Sequence, residues 1–96
     1  MAEVHRNTDS RSCGATTVVA GNTNVYANSL LVSVDADPNS HGAGNLVASC
    51  NNVFVNSKMV VDLGDSAGAD GLCAPLGGAH CSPNASSASG DVFVGD

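Results

Sequence analysis

Large aromatic and basic side chains are nearly missing from this chain. Its 96 residues include no Trp, one Tyr and two Phe, and three Lys or Arg stand against nine acids, for a formal net charge of -6. A nucleic-acid binder displaces counterions from phosphates with clustered cations, and Arg6, Arg11 and Lys58 form no such cluster, so nucleic acid is excluded as a partner. No apolar run approaches the roughly 18 residues of a bilayer crossing. Met1-Ala2-Glu3-Val4-His5 has neither the basic nor the apolar region of a signal peptide, which leads to the expectation of a soluble protein not exported by the general secretory route. Glutamate is reduced to Glu3, outside the patterned part of the chain. A catalytic zinc needs a general base beside an open coordination position, so an enzyme is not expected.

What remains is Val, Ala, Gly, Asn and Ser, with four Cys and three His. Such small apolar side chains fill thin layers, and a single domain of this size needs a supplement to its core. Val, Thr and aromatic residues punctuated by Gly, Asn, Asp and Ser, without a long helical period, predict a mainly β fold of short strands and turns. Four cysteines allow disulfides or metal ligation. The absence of a signal peptide and the presence of His5, His41 and His80 favour metal.

Self-similarity organises the chain. Val25-Tyr26-Ala27-Asn28-Ser29, Val53-Phe54-Val55-Asn56-Ser57 and Val92-Phe93-Val94-Gly95-Asp96 read alike, each preceded by Asn24, Asn52 or Asp91. Twelve residues ahead of the three valines stand Cys13, His41 and His80, all of them metal-ligand types. Cys13-Gly14-Ala15 aligns with His41-Gly42-Ala43, Val19-Ala20-Gly21 with Val47-Ala48-Ser49, and Asp9 with Asp37. The expected units of the single domain 1–96 are about 9–37, 38–65 and 66–96, the third carrying a Gly/Ala-rich insertion over 66–79 that contains Cys73. Asn28-Ser29 and Asn56-Ser57 fall where a two-residue hairpin turn belongs, since Asn tolerates positive φ.

A unit this short cannot bury its own apolar face, so three are expected to pack around one axis. The predicted fold is a small cone-shaped, pseudo-threefold arrangement of β-hairpins with a metal site near the apex. Cys13, His41 and His80 then meet at one level of the axis, where there is no room for a side-chain core and an ion can hold the loops instead. A closed zinc site takes four ligands, and Cys73 is the expected fourth because its insertion leads to His80; Cys81 is the alternative. Cys50 reads as a small buried side chain and His5 as a surface or terminal residue without a repeat counterpart. Asp9, Asp37 and Asp65 read as turn residues whose carboxylates cap backbone amides.

These residues resemble the PAAR-repeat proteins, which sharpen the spike tips of contractile phage tails and type VI secretion systems. The best-matching stretch, Asn51 to Asp65, is similar to that family's strand, turn and closing Val-Gly-Asp; Asn28 to Asp37 repeats it, and Val92 to Asp96 resembles a truncated last unit. Met59-Val60-Val61-Asp62 stands where the naming motif belongs, and Ser57 replaces a turn Gly, so the resemblance lies in architecture and ligand register. Carried over, the family's tip site falls on His41, His80 and Cys13, with Cys73 in the remaining place. That implies Zn, with iron possible from ligand type alone.

The resemblance implies one tip protein per trimeric β-helical spike, capping its three strand edges and meeting the target membrane transiently. It implies a virion location at the tail baseplate, or secretion with a type VI spike. The chain stops after the third unit, an expectation of a plain tip without a toxin domain. The rival expectation is a secreted-type disulfide-bonded or metal-binding module with no piercing role.

Overall fold

The structure is a computed structural model and describes residues 2–49 and 53–94. Cys50 and Asn52 therefore lie outside the described residues, as do the Asn51 start of the best-matching stretch and Gly95 and Asp96 at the end of the third. Six two-residue strands form three antiparallel pairs. β2 (Tyr26–Ala27) pairs with β3 (Leu30–Leu31), and β4 (Phe54–Val55) with β5 (Lys58–Met59). β1 (Ala2–Glu3) pairs with β6 (Phe93–Val94). Among the described residues helix is confined to two short pieces, α1 (Cys73–Leu76) and a 3-10 turn over Gly78–Cys81. The expected mainly β fold of short hairpins is what the chain adopts.

The turns explain the hairpins. Asn28 and Ser29 have φ of 54° and 69°, and Asn56 and Ser57 have 53° and 67°. Two consecutive left-handed residues twist a two-residue loop in the sense that paired strands require. The third pair was not legible in the repeat: its second strand is β1, from the other end of the chain. Val4, Val32 and Val60 continue β1, β3 and β5, and their amides donate to the carbonyls of Val92, Val25 and Val53.

Between hairpins the backbone bonds run in closed rings. His5 donates to Val61 at 3.0 Å, Val61 to Ser33 at 3.0 Å, and Ser33 to His5 at 2.9 Å. Asn7 donates to Leu31, Asp35 to Met59 and Leu63 to Glu3; Val18 donates to Pro38, Val47 to Ser66 and Ser86 to Ser10. The last ring pairs Val18, not Val19, with Val47, so the expected alignment of Val19-Ala20-Gly21 with Val47-Ala48-Ser49 is one residue out. The second loop holds an extra residue near Gly44, whose left-handed φ of 65° and lack of a Cβ let it approach the Gly68 carbonyl.

Val4, Ala27, Val32 and Val60 form one apolar layer, with Val53, Val55 and Val94 against it. Leu46, Ala48, Val61, Ala67 and Ala85 form a second, with Met59 at its edge. Both are thin, as small aliphatic side chains dictate. The carboxylates of Asp9, Asp37 and Asp65, buried beside them, are paired, because leaving one unpaired costs more than its hydrogen bond contributes. Asp9, Asp37 and Asp65 accept from the amides of Arg6, Val34 and Asp62 at 2.9, 2.8 and 3.0 Å, which is the capping role read for them.

Candidate metal centre

Three loops carry the candidate ligands. In the first, Gly14 donates to the Arg11 carbonyl and Arg11 to that of Ala15, which closes a tight turn around Cys13. In the second, Asn39 Oδ1 accepts from the His41 amide at 2.7 Å while Asn39 Nδ2 donates to the carbonyls of Ala43 and Gly44, fixing the bend on which His41 stands. The third runs from Asp70 to Cys81. Gly71 donates to the Gly42 carbonyl at 2.8 Å, and a Cβ at Gly71 would lie 2.7 Å from the His41 carbonyl. Glycine there is what allows the third loop to lie on the second.

Cys13, His41, Asp70 and His80 come together, each offering a ligand atom, with all four atoms within 4.8 Å of one another. Asp70 is the hub. His41 Nδ1 lies 3.0 Å from its Oδ2, and His80 Nδ1 lies 3.2 and 3.1 Å from Oδ1 and Oδ2. The Leu72 amide donates to Oδ1 at 2.9 Å. The two imidazoles face each other with centroids 5.2 Å apart. Burial works against ionisation of Asp70, but hydrogen bonds from the Cys13 thiol, His80, the Leu72 amide and His41 outweigh it and hold its pKa well below the usual carboxylate range. An ionised carboxylate only accepts, so both rings carry a proton on Nδ1. Burial pushes the Cys13 thiol up.

Three of the four expected ligands thus converge. Cys73 does not: its sulfur is bonded to that of Cys81, and neither the first choice for the fourth place nor its alternative is available. Asp70 stands in that place. Among the described residues Cys13 is the free cysteine. Asp70 escaped the sequence reading because aspartates were assigned to turns. The signal for it was its isolation: it is the one Asp within the insertion, with no counterpart in the other units.

His5 is also corrected. It is wholly buried, not on the surface. Its Nδ1 donates to the Ser87 carbonyl at 2.8 Å, which leaves Nε2 of the neutral ring to accept from Thr17 Oγ1 at 2.7 Å, while that hydroxyl accepts from Arg11 Nε. Arg11 is buried two residues before Cys13. Its guanidinium donates to the carbonyls of Gly44, Asp37 and Pro38, which ties the first loop to the second.

The donor set suits a divalent cation. Thiolate, two imidazoles and a carboxylate are all zinc ligand types, with bonds of about 2.0–2.3 Å, and iron(II) accepts the same atoms. The fit rests on Asp70: a buried anion already collects donors from three loops, and a cation can replace those protons without a new fold. No model of a known protein family matches the chain, and no curated protein sequence does.

Proposed function

We propose that this protein is a metal-stabilised spike tip of the PAAR type: a small pseudo-threefold cone that caps a trimeric β-helical spike. The observation that carries the reading is the set of closed backbone rings, in which His5, Ser33 and Val61, each 28 residues from the next, are joined in a cycle. A chain built from three like hairpins matches the three like strand edges at the end of a trimer, and one copy covers them all. Two further features support it. The principal extents are 35 × 23 × 21 Å, with the two shorter ones nearly equal, as a body with a rotation axis has. Tyr26, Phe54 and Phe93 hold the same position on β2, β4 and β6, and all three are exposed. Uncovered aromatics at matched positions form an apolar contact surface of the kind a partner covers.

Near the apex, Cys13, His41, His80 and Asp70 hold the ion, and Zn is the expected one. It supplies a cross-link between three loops that have no thick core beneath them. In small structural sites such a link contributes about 10–16 kcal/mol at neutral pH. The role is mechanical, with transient contact at the target membrane, as part of a phage baseplate or a type VI spike.

The test has two readouts. One zinc or iron per chain is expected by elemental analysis, lost in Cys13→Ser and in Asp70→Asn. With trimeric β-helical spike ends from contractile tails, a complex of one chain per trimer is expected by sedimentation, and Tyr26→Ser/Phe54→Ser/Phe93→Ser abolishes it while leaving the fold intact. Metal-free protein that binds no trimer overturns the reading. The Cys73–Cys81 disulfide favours a second reading, a disulfide-bonded metal module of secreted type, and metal binding without spike binding selects it.

A further inference from the structure

Asp70 and His80 are the two ends of one short segment, and the disulfide between Cys73 and Cys81 closes that segment on itself. Between those ends little else orders it. Neither α1 nor the 3-10 turn buries a residue, and neither has a side-chain cap at its start. A four-residue helix has no stability of its own. Gly77, at positive φ, links the two pieces, and Gly78, also at positive φ, opens the second. At its ends Asp70 is bonded through its carboxylate to His41, His80 and the Leu72 amide, and Gly71 to the Gly42 carbonyl; the other main restraints are single backbone bonds, chiefly Asp70 to the His80 carbonyl at 2.9 Å, Cys73 to the Asp70 carbonyl at 3.1 Å and Gly77 to the Cys73 carbonyl at 2.7 Å. Cys73 is three residues from Asp70, and Cys81 follows His80 directly. A covalent bond between those neighbours holds both metal-binding side chains toward Cys13 and His41.

We propose that the Cys73–Cys81 disulfide is a redox lock on the metal centre: closed, it preorganises Asp70 and His80; open, it releases half of the ligand set. This inference rests on the metal-centre reading. The lock opens when a dithiol exchanges with it, the S–S bond breaking as the reductant's own two sulfurs join and its two protons pass to Cys73 and Cys81. Ordering the freed segment then opposes binding, because conformational freedom that the bond had already removed must be given up when the ion enters. The protein accordingly holds its ion more firmly in an oxidising compartment than in a reducing one.

The experiment measures Zn(II) affinity by competition with a chromophoric chelator for three forms of the full chain. These are the oxidised protein, the protein reduced with a phosphine, and Cys73→Ser/Cys81→Ser, which opens the lock without supplying new thiols. The phosphine takes the oxygen of one water and leaves as its oxide, and the water's protons complete the two thiols. The expected result is one zinc bound by the oxidised form and at least tenfold weaker binding by the other two, with circular dichroism showing the strands retained. Equal affinity in all three forms overturns the lock alone. Tighter binding by the reduced protein also overturns it, since Cys73 or Cys81 has then joined the ligands. No zinc binding by any form overturns the metal-centre reading and this inference with it.

Discussion

Single side chains decide more here than the thin core does. Arg11, Thr17, His5 and Ser87 form one buried chain of hydrogen bonds in which each donor has its acceptor. Burial lowers the His5 pKa from its ordinary value of 6.5, so the folded protein holds the ring neutral where the unfolded chain takes up a proton. Stability from this group is therefore complete above pH 6.5 and falls as the pH drops below it, by up to about 1.4 kcal/mol per unit while the folded ring stays neutral. Chemical denaturation of wild type and His5→Gln at pH 7 and pH 5 checks this: the variant is expected to lose less stability across that interval. At the same scale, Cys13, His41 and His80 were legible because their residue types are scarce and fall at one offset from three like strands. Asp70 was not, because aspartate is common here and Asp9, Asp37 and Asp65 cap turns.

Among the elements, the hairpin turns are where the local code is strongest, and the Asn-Ser pairs were readable for that reason. The turns that follow the central ring are less well matched to their conformation. Thr8, Ala36 and Gly64 occupy equivalent places with φ of 71°, 75° and 93°, and only the third is a glycine. A left-handed alanine carries about 1–2 kcal/mol of strain, and Ala36 is exposed, so its methyl contributes little packing. Ala36→Gly is expected to stabilise the protein by about 0.5–1 kcal/mol after the greater freedom of the unfolded chain is subtracted. That raises the melting temperature by roughly 2–6 °C, which calorimetry can follow. Gly71→Ala has the opposite sign. Its Cβ would press on the His41 carbonyl from 2.7 Å, and backbone cannot give way cheaply, so the third loop lifts from the second. Weaker zinc binding with little change in strand content is the expected outcome. The pairing of β1 with β6 escaped the sequence reading for a topological reason: a repeat search looks for a second strand after the first, and here it lies at the far end of the chain.

At the level of the whole molecule, the rings of backbone bonds carry the cohesion, and most of them join residues far apart in sequence. Removing residues 1–5 takes away β1, Val4 and one member of the central ring, and loss of cooperative unfolding by circular dichroism is expected. The likeness of the first two hairpins was legible as a spacing of 28 between Val25 and Val53, whereas the disulfide was not, since four cysteines allow several pairings and spacing does not choose among them.

Because β1 and β6 lie side by side, the two ends of the described chain are neighbours. The described residues thus run from one strand of a hairpin round to the other, and the gap between Val94 and Ala2 falls in one hairpin out of three. Joining residue 96 to residue 1 and severing the backbone between Asn28 and Ser29 moves the gap to another blade while every ring keeps its members. Such a circular permutant is expected to refold and bind zinc like the parent.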